Sequence, residues 1–202
     1  MTRPPSTLDF LTIANIATRL ETYEYRARRD TEGSKWAGVA VLLRPSDNGP
    51  EMLLIQRSEQ AGDPWSGHMA LPGGRPIAED LSIRQTAERE TLEEVGIDLV
   101  QAGQYITRLD DVTAVGRGKR INLTISPHLY SIPENTTTIA EPKEVQNIVW
   151  IPIRELVGQT HRSEMTYETH EMSLQLPCWR WQGRVVWGLT YNIVETMLRM
   201  MI

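Results

Sequence analysis

The chain lacks most of the features that would fix its class at once. Cys178 is its one cysteine, which excludes an internal disulfide framework and a zinc site built from cysteines. The histidines, His68, His128, His161 and His170, stand at no metal-ligand spacing from one another. No hydrophobic run reaches the length of a membrane span and no secretory h-region follows Met1, so a cytoplasmic protein without a membrane partner is expected. In that compartment the sequon-like triplets at Asn122 and Asn135 carry no information. Basic charge is not in excess: a formal net charge of -5 argues against broad nucleic-acid binding, and "GRGKR" (116–120) reads as a solvated hairpin tip. There is no Walker loop and no dinucleotide fingerprint, and "WSGH" (65–68) lacks the Gly-X-Ser-X-Gly elbow of a serine hydrolase.

What remains is ordinary globular material. With 202 residues, 40% of them hydrophobic and 23% charged, the chain can bury a sizeable core and is expected to form one domain over 1–202. From about 6 to 25, Leu8, Leu11, Ile13, Ile16 and Leu20 recur at helical spacing, with Ser6 or Thr7 as the cap. "WAGVAVLLR" (36–44) and "EMLLIQR" (51–57), joined across "PSDNGP", read as two strands. "YITRLDDV" (105–112), "INLTISPHLYSI" (121–132) and "VQNIVWIPI" (145–153) add further strands, whereas 161–183 reads as irregular. "VVWGLTYNIVETMLRMM" (185–201) reads as a strand end followed by a helix whose Leu189, Ile193, Met197 and Leu198 can face a core. Strands and helices alternate without a strict βαβ repeat, so the expected class is α+β, a mixed sheet covered by helices.

The chemistry is concentrated in "LPGGRPIAEDLSIRQTAERETLEEVGIDL" (71–99). A helix opening near Ser82 turns about 100° per residue, which sets Glu90 and Glu94 beside Ile83 and Ala87, where apolar residues belong. Glu93 lies on the adjoining flank. Local pairing with Arg89 would make this a salt-bridged surface helix. Three carboxylates at such spacing repel one another, however, by a few tenths of a kcal/mol per pair, and a partner is needed. A hard divalent cation, Mg²⁺ or Mn²⁺, suits oxygen ligands and substrate phosphate. Gly73 and Gly74, after Pro72, let the loop turn tightly and approach this face.

These residues resemble the box of the Nudix hydrolase family: Gly74 opens it, Arg89 and Glu90 form the first pair, Glu93 and Glu94 the second, and Gly96 with Ile97 close it. The loop is one residue longer than the standard box, Asp80 stands for its glutamate, and Thr91 occupies its aliphatic position. The first two departures recur in the coenzyme A diphosphatase branch. The resemblance implies the Nudix fold, an α/β/α sandwich with a mixed sheet, over a core of about 36–156 with extra N- and C-terminal helices. It implies hydrolysis of a nucleoside diphosphate linked to another moiety, with Glu90 and Glu94 as principal metal ligands and Glu93 as a further ligand or water-orienting group. Arg89 would hold the carboxylates. Glu144, from "EPKEVQNIVW", is the first choice of general base, with Glu141 and Glu93 as alternatives.

The substrate is narrowed by two further stretches. "LLIQRSEQAGDPWSGHMALPGG" (53–74) resembles the pre-box segment of coenzyme A diphosphatases at Leu53, Arg57, Ser58, Gly67, Pro72, Gly73 and Gly74. It departs at Ile55, at Leu71 and in lacking a second arginine around 61–64. "GRVVWGLT" (183–190) resembles the C-terminal "WGLT" of the same branch. Coenzyme A or an acyl derivative is therefore the first candidate, followed by ADP-ribose, NADH or a dinucleoside polyphosphate; a non-catalytic nucleotide-binding module is the competing class. Arg57, Gly73 and Gly74 are candidate substrate contacts, and Trp65, Trp179 or Trp181 could stack on a base if they are not core. Members of the family are often dimers, so a homodimer is admitted, though the terminal helices can equally pack on their own domain.

Overall fold

A computed structural model describes residues 11–29, 33–62, 65–116, 119–168 and 173–201, without the side chains of 115–121. The N-terminal helix is shorter than its apolar pattern suggests. It spans Ile13–Leu20 (α1) and is capped by Thr12, whose hydroxyl accepts from the Asn15 N–H; Ser6 and Thr7 lie outside the described residues. Ile16 and Leu20 are its buried face.

β1 (Lys35–Arg44) and β2 (Glu51–Arg57) pair antiparallel only at their turn, Leu43 opposite Met52 and Arg44 opposite Glu51. Beyond it they diverge, and 69–74 is wedged between them. β3 (Met69–Ala70) pairs with β2, and β4 (Gly73–Gly74) pairs with β1. This split is what carries the pre-box loop into the middle of the sheet. α2 (Ile83–Val95) follows, capped at Ser82, whose hydroxyl accepts from the Gln85 N–H.

α3 (Leu99–Ala102) leads into β5 (Gln104–Arg108) and β6 (Val112–Gly116). The single strand expected over 105–112 is thus broken at 109–111, where Asp110 and Asp111 fasten the N-terminal segment. Asp110 accepts from the Tyr23 hydroxyl and the Arg26 N–H, and Asp111 accepts from the Arg28 N–H. β7 (Lys119–Ser131) closes a hairpin with β6, Gly116 opposite Lys119, and runs parallel to β1 along its length. β8 (Val145–Pro152) covers the other side of β2 and passes into α4 (Ile153–Val157). One parallel pair among antiparallel ones makes the sheet mixed, as expected.

Both faces of the sheet are covered, which is why its central strands read as continuous apolar runs. On β1, Val41 and Leu43 enter one core with Ile16, Leu20, Trp179 and Val194; Ala40 and Leu42 enter the other with Ala87, Val95 and Tyr130. Alternation on a strand thus feeds two layers. α5 (Gly188–Met201) fills the first layer with Ile193, Met197 and Leu198 buried, and Leu189 packs at its margin. α2 fills the second, approaching so closely that Gly38 has no room for a side chain: a methyl group there would collide with the Ile83 carbonyl oxygen.

The described residues of 161–183 are not irregular. β9 (Arg162–Glu168), β10 (Ser173–Trp181) and β11 (Arg184–Trp187) form a separate antiparallel sheet. Its Trp179 and Val186 are fully buried beside Tyr191 of α5, and this anchors it to the first layer. Among the described residues no helix is long and apolar enough to cross a membrane.

Candidate active site

The box helix presents two kinds of carboxylate. Glu94 lies one turn beyond Glu90 on the inward side; it is 2% exposed, and its Oε2 accepts from the Gly73 N–H at 2.8 Å. Gly73, a candidate substrate contact in the sequence, therefore has its N–H committed to the buried carboxylate. Gly74 serves by what it lacks: a methyl group there would strike the Glu90 carboxylate and displace it, so glycine lets the loop pass over the carboxylate where it stands.

Glu144 comes from a different part of the chain. The loop before β8 is stitched to the end of α2 by Glu141 N–H donating to the Glu94 carbonyl at 3.0 Å. It is stitched to the end of β2 by Ser58 N–H donating to the Glu144 carbonyl at 2.9 Å. The Ser58 hydroxyl adds a bond to the Pro142 carbonyl at 2.9 Å. The result is that carboxylate oxygens of Glu90, Glu94 and Glu144 lie within 4.8 Å of one another, from half-buried through buried to exposed.

Such crowding shows in proton affinity. Burial raises the pKa of Glu94 to about 8, the Gly73 N–H opposes that, and the Glu90 and Glu144 charges add to it while Arg57 at the end of β2 lowers it. Glu90 is also raised, first by burial and against the pull of Arg89. A cation placed among these oxygens would remove this conflict, and carboxylate oxygen is the hard donor that Mg²⁺ or Mn²⁺ prefers.

Glu93 stands apart. It is bound to Arg89 Nη1 at 2.8 Å with its side chain 53% exposed, and it is not among the three converging carboxylates. Arg89 is the hub of the outer side: its guanidinium donates to Asp80 at 3.1 Å and to the Arg75 carbonyl at 3.0 Å, and pairs with Glu90 at 3.0 Å. Asp80 also accepts from the Ile77 N–H and the Thr86 hydroxyl. Its pKa is lowered, mainly by the bonds from Arg89. The shorter carboxylate in the longer loop thus ties 75–80 to the helix. Thr91 is fully buried and returns its hydroxyl to the Ala87 carbonyl at 2.7 Å, so the polar atom at the aliphatic position is satisfied within the helix.

Of the tryptophans singled out in the sequence, Trp179 is core, Trp181 packs against the same core, and Trp65 is 46% exposed. Trp187, which the sequence reading passed over, stands edge-on to His68 with ring centroids 5.0 Å apart. Its position in "WGLT" was the available signal. His128 is buried near Arg108 and Arg84, its pKa lowered to about 4 chiefly by burial, and it belongs to the sheet interior. His170 lies outside the described residues.

Residues 34–172 match the NUDIX domain family model. An uncharacterized protein of Schizosaccharomyces pombe is 37% identical over 135 residues, covering 66% of this chain and 40% of that protein. The Caenorhabditis elegans protein named peroxisomal coenzyme A diphosphatase ndx-8 is 32% identical over 141 residues, covering 66% of this chain and 55% of its own length. The chain therefore spans about half the length of these curated relatives. Among solved structures, a C. elegans Ap4A hydrolase binary complex superposes with a TM-score of 0.50 at 22% identity, over 61% of this chain and 83% of that one, a likeness of fold.

Proposed function

This chain belongs to the Nudix family, and on that premise we propose that it is a divalent-metal-dependent hydrolase of nucleoside diphosphate derivatives. The observation that carries the reading is the convergence of Glu90, Glu94 and Glu144 at the mouth of the wedge between β1 and β2. Glu90 and Glu94 would hold Mg²⁺ or Mn²⁺, which supplies positive charge to the entering and leaving oxygens of an in-line displacement. Glu144, the most exposed of the three, accepts the proton of the attacking water. Arg57 offers its guanidinium to a phosphate oxygen. Arg89 and Asp80 fix the loop and the helix relative to each other, and Glu93 steadies Arg89.

Coenzyme A or an acyl derivative is the first substrate, split into 3',5'-ADP and 4'-phosphopantetheine or its acyl form. The pre-box and "WGLT" resemblances support it, and so does the name of the worm relative. ADP-ribose, NADH and diadenosine polyphosphates are the alternatives. The test is incubation with each compound and Mg²⁺, with and without chelator, and products identified by mass. Cleavage of coenzyme A across its diphosphate upholds the full reading; cleavage of another member alone keeps the reaction and changes the substrate. Nucleotide bound without turnover of any of them replaces the enzyme by a binding module. The cytoplasmic placement and a homodimer belong to the same reading, and fractionation and sedimentation decide them.

The roles of the glutamates separate by substitution. Glu144→Gln should lower kcat by about a hundredfold or more, the range for loss of a positioned base. Glu93→Gln removes an exposed ion pair and should cost less than about tenfold. Equal losses would place Glu93 inside the reacting set.

Metal binding should also release protons. Burial pushes Glu94 up to about 8 from an ordinary 4.5, so in the metal-free chain it is largely protonated at pH 7 and gives up close to one proton when a cation binds. Calorimetry in buffers of different ionisation enthalpy reads that number directly. The same shift destabilises the metal-free fold as pH rises from about 4.5 to about 8, because over that window the folded chain binds the proton more tightly than the unfolded one. Added Mn²⁺ should therefore raise Tm more at pH 8.5 than at pH 6; a gain independent of pH would contradict the assignment.

A further inference from the structure

The ladder between β2 and β8 loses its register just before it reaches Glu144. Gln56 stands opposite Asn147, and the Asn147 amide donates to the Gln56 side-chain oxygen at 3.1 Å. The next pair is Arg57 opposite Val145, which leaves Gln146 as an extra residue in β8. A bulge of this kind bends its strand and disrupts regular pairing. Pro142, Lys143 and Glu144, on the far side of it, are all exposed. An exposed segment beyond the end of a ladder keeps one conformation only if other bonds offset its entropy.

Those bonds come from one short run, 58–60, and they take the three carbonyls in succession. The Ser58 hydroxyl donates to the Pro142 carbonyl at 2.9 Å, the Gln60 side-chain amide to the Lys143 carbonyl at 2.8 Å, and the Ser58 N–H to the Glu144 carbonyl at 2.9 Å. Gln60 is itself held, because its N–H donates to the Ser66 hydroxyl at 2.6 Å and that hydroxyl reaches back to the Ser58 carbonyl at 3.5 Å. Arg57, whose guanidinium is offered to a phosphate oxygen, immediately precedes this run. Phosphate contact and base are thereby referred to the same few residues of backbone.

We propose that Gln60, together with the Ser58 hydroxyl, is a positioning residue for the hydrolysis: it holds 142–144 so that the Glu144 carboxylate faces the attacking water beside Glu90 and Glu94. Neither side chain is assigned a contact with substrate or metal; both act through Glu144. This rests on the diphosphatase reading and on Glu144 as its base. It gives the exposed loop 58–66 a task in the chemistry that its polar sequence does not announce.

The test joins Ser58→Ala with Gln60→Met, which removes both side-chain donors and keeps the Ser58 backbone bond, in the wild-type chain and in Glu144→Gln. A positioned base contributes about 10² to 10⁴-fold, and loosening it should forfeit part of that. In the wild-type background kcat should fall by about tenfold on the compound cleaved best, with KM and Mn²⁺ affinity changed by less than about twofold because Glu90 and Glu94 are untouched. In Glu144→Gln the same pair should cost less than about twofold, since no base is left to position. A general structural lesion would slow both backgrounds by the same factor, which overturns the proposal, as does an unchanged kcat in the wild-type background. A normal rate for Glu144→Gln alone also overturns it, while leaving the diphosphatase reading standing. If the wild type hydrolyses none of the compounds, that reading fails separately, and hydrogen exchange decides the grip of 58–60 on the loop. The amides of Glu144 and Val145, both bonded to the Glu141 carbonyl, should then exchange about tenfold faster in the Ser58→Ala, Gln60→Met chain, and unchanged exchange overturns the proposal.

Discussion

Replacing Glu94 by glutamine is expected to cut metal-dependent hydrolysis by about a thousandfold while the protein stays folded. The loss follows from position. Glu94 is the most buried of the three converging carboxylates, and without its charge the cation loses an anchoring ligand and the reaction several kcal/mol of charge stabilisation, at about 1.4 kcal/mol per tenfold. The fold should survive because a glutamine oxygen can still accept from the Gly73 N–H, the hydrogen bond that, among the described residues, ties this side chain to the wedge. The metal-free variant should even gain stability above pH 8, where the wild type carries a buried charge beside Glu90 and Glu144. Thermal melts across pH and steady-state rates with excess Mg²⁺ check both halves. A variant that turns over normally removes Glu94 from the site, and one that fails to fold makes the residue structural.

The second large effect lies away from the carboxylates. Gly38→Ala should destabilise the protein by about 3 kcal/mol or more, since the added methyl meets the Ile83 carbonyl and then the Ala87 backbone, neither of which can swing aside as a side chain would. α2 would have to lift from β1, and Glu90 and Glu94 would move with it. Denaturant unfolding should therefore show a lowered midpoint, and the residual folded fraction should bind Mn²⁺ more weakly. An unchanged midpoint would mean that the helix does not sit on the strand as closely as described. Gly74→Ala makes the useful contrast: its methyl meets the far end of the Glu90 side chain, so activity should fall with little change in stability.

Most of the helix and sheet framework could be read from residues because each element states its own period. β1 and β2 are short apolar runs, α5 repeats its buried residues at helical spacing, and α2 opens at Ser82 as its cap position indicates. The wedge could not. "MALPGG" contains no strand signal of its own, and two-residue strands exist only because β1 and β2 part to receive them. The sheet over 162–187 was legible and missed: Met165 and Tyr167 alternate with Glu164, Thr166 and Glu168, a period of two obscured by the polar character of the solvent face.

The carboxylates divide the same way. The box motif places Glu93 and Glu94 side by side, but one residue is about 100° of helix, enough to turn Glu93 out to Arg89 while Glu94 turns in to Gly73. Glu144 could be suspected only from its distance ahead of Trp150. What brings its carboxylate to Glu90 and Glu94 is a pair of backbone bonds from two other segments, Glu141 to Glu94 and Ser58 to Glu144, and no local pattern announces those.

The most direct test of the three-carboxylate site is a Mn²⁺ titration of the intact protein followed by electron paramagnetic resonance, for the wild type and for Glu90→Gln, Glu94→Gln, Glu144→Gln and Glu93→Gln. The account predicts saturable binding that weakens by at least about tenfold in Glu90→Gln and Glu94→Gln, as loss of one oxygen ligand requires, and changes little in Glu144→Gln and Glu93→Gln. Binding that is lost with Glu93 replaced, or kept with both Glu90 and Glu94 replaced, would contradict it.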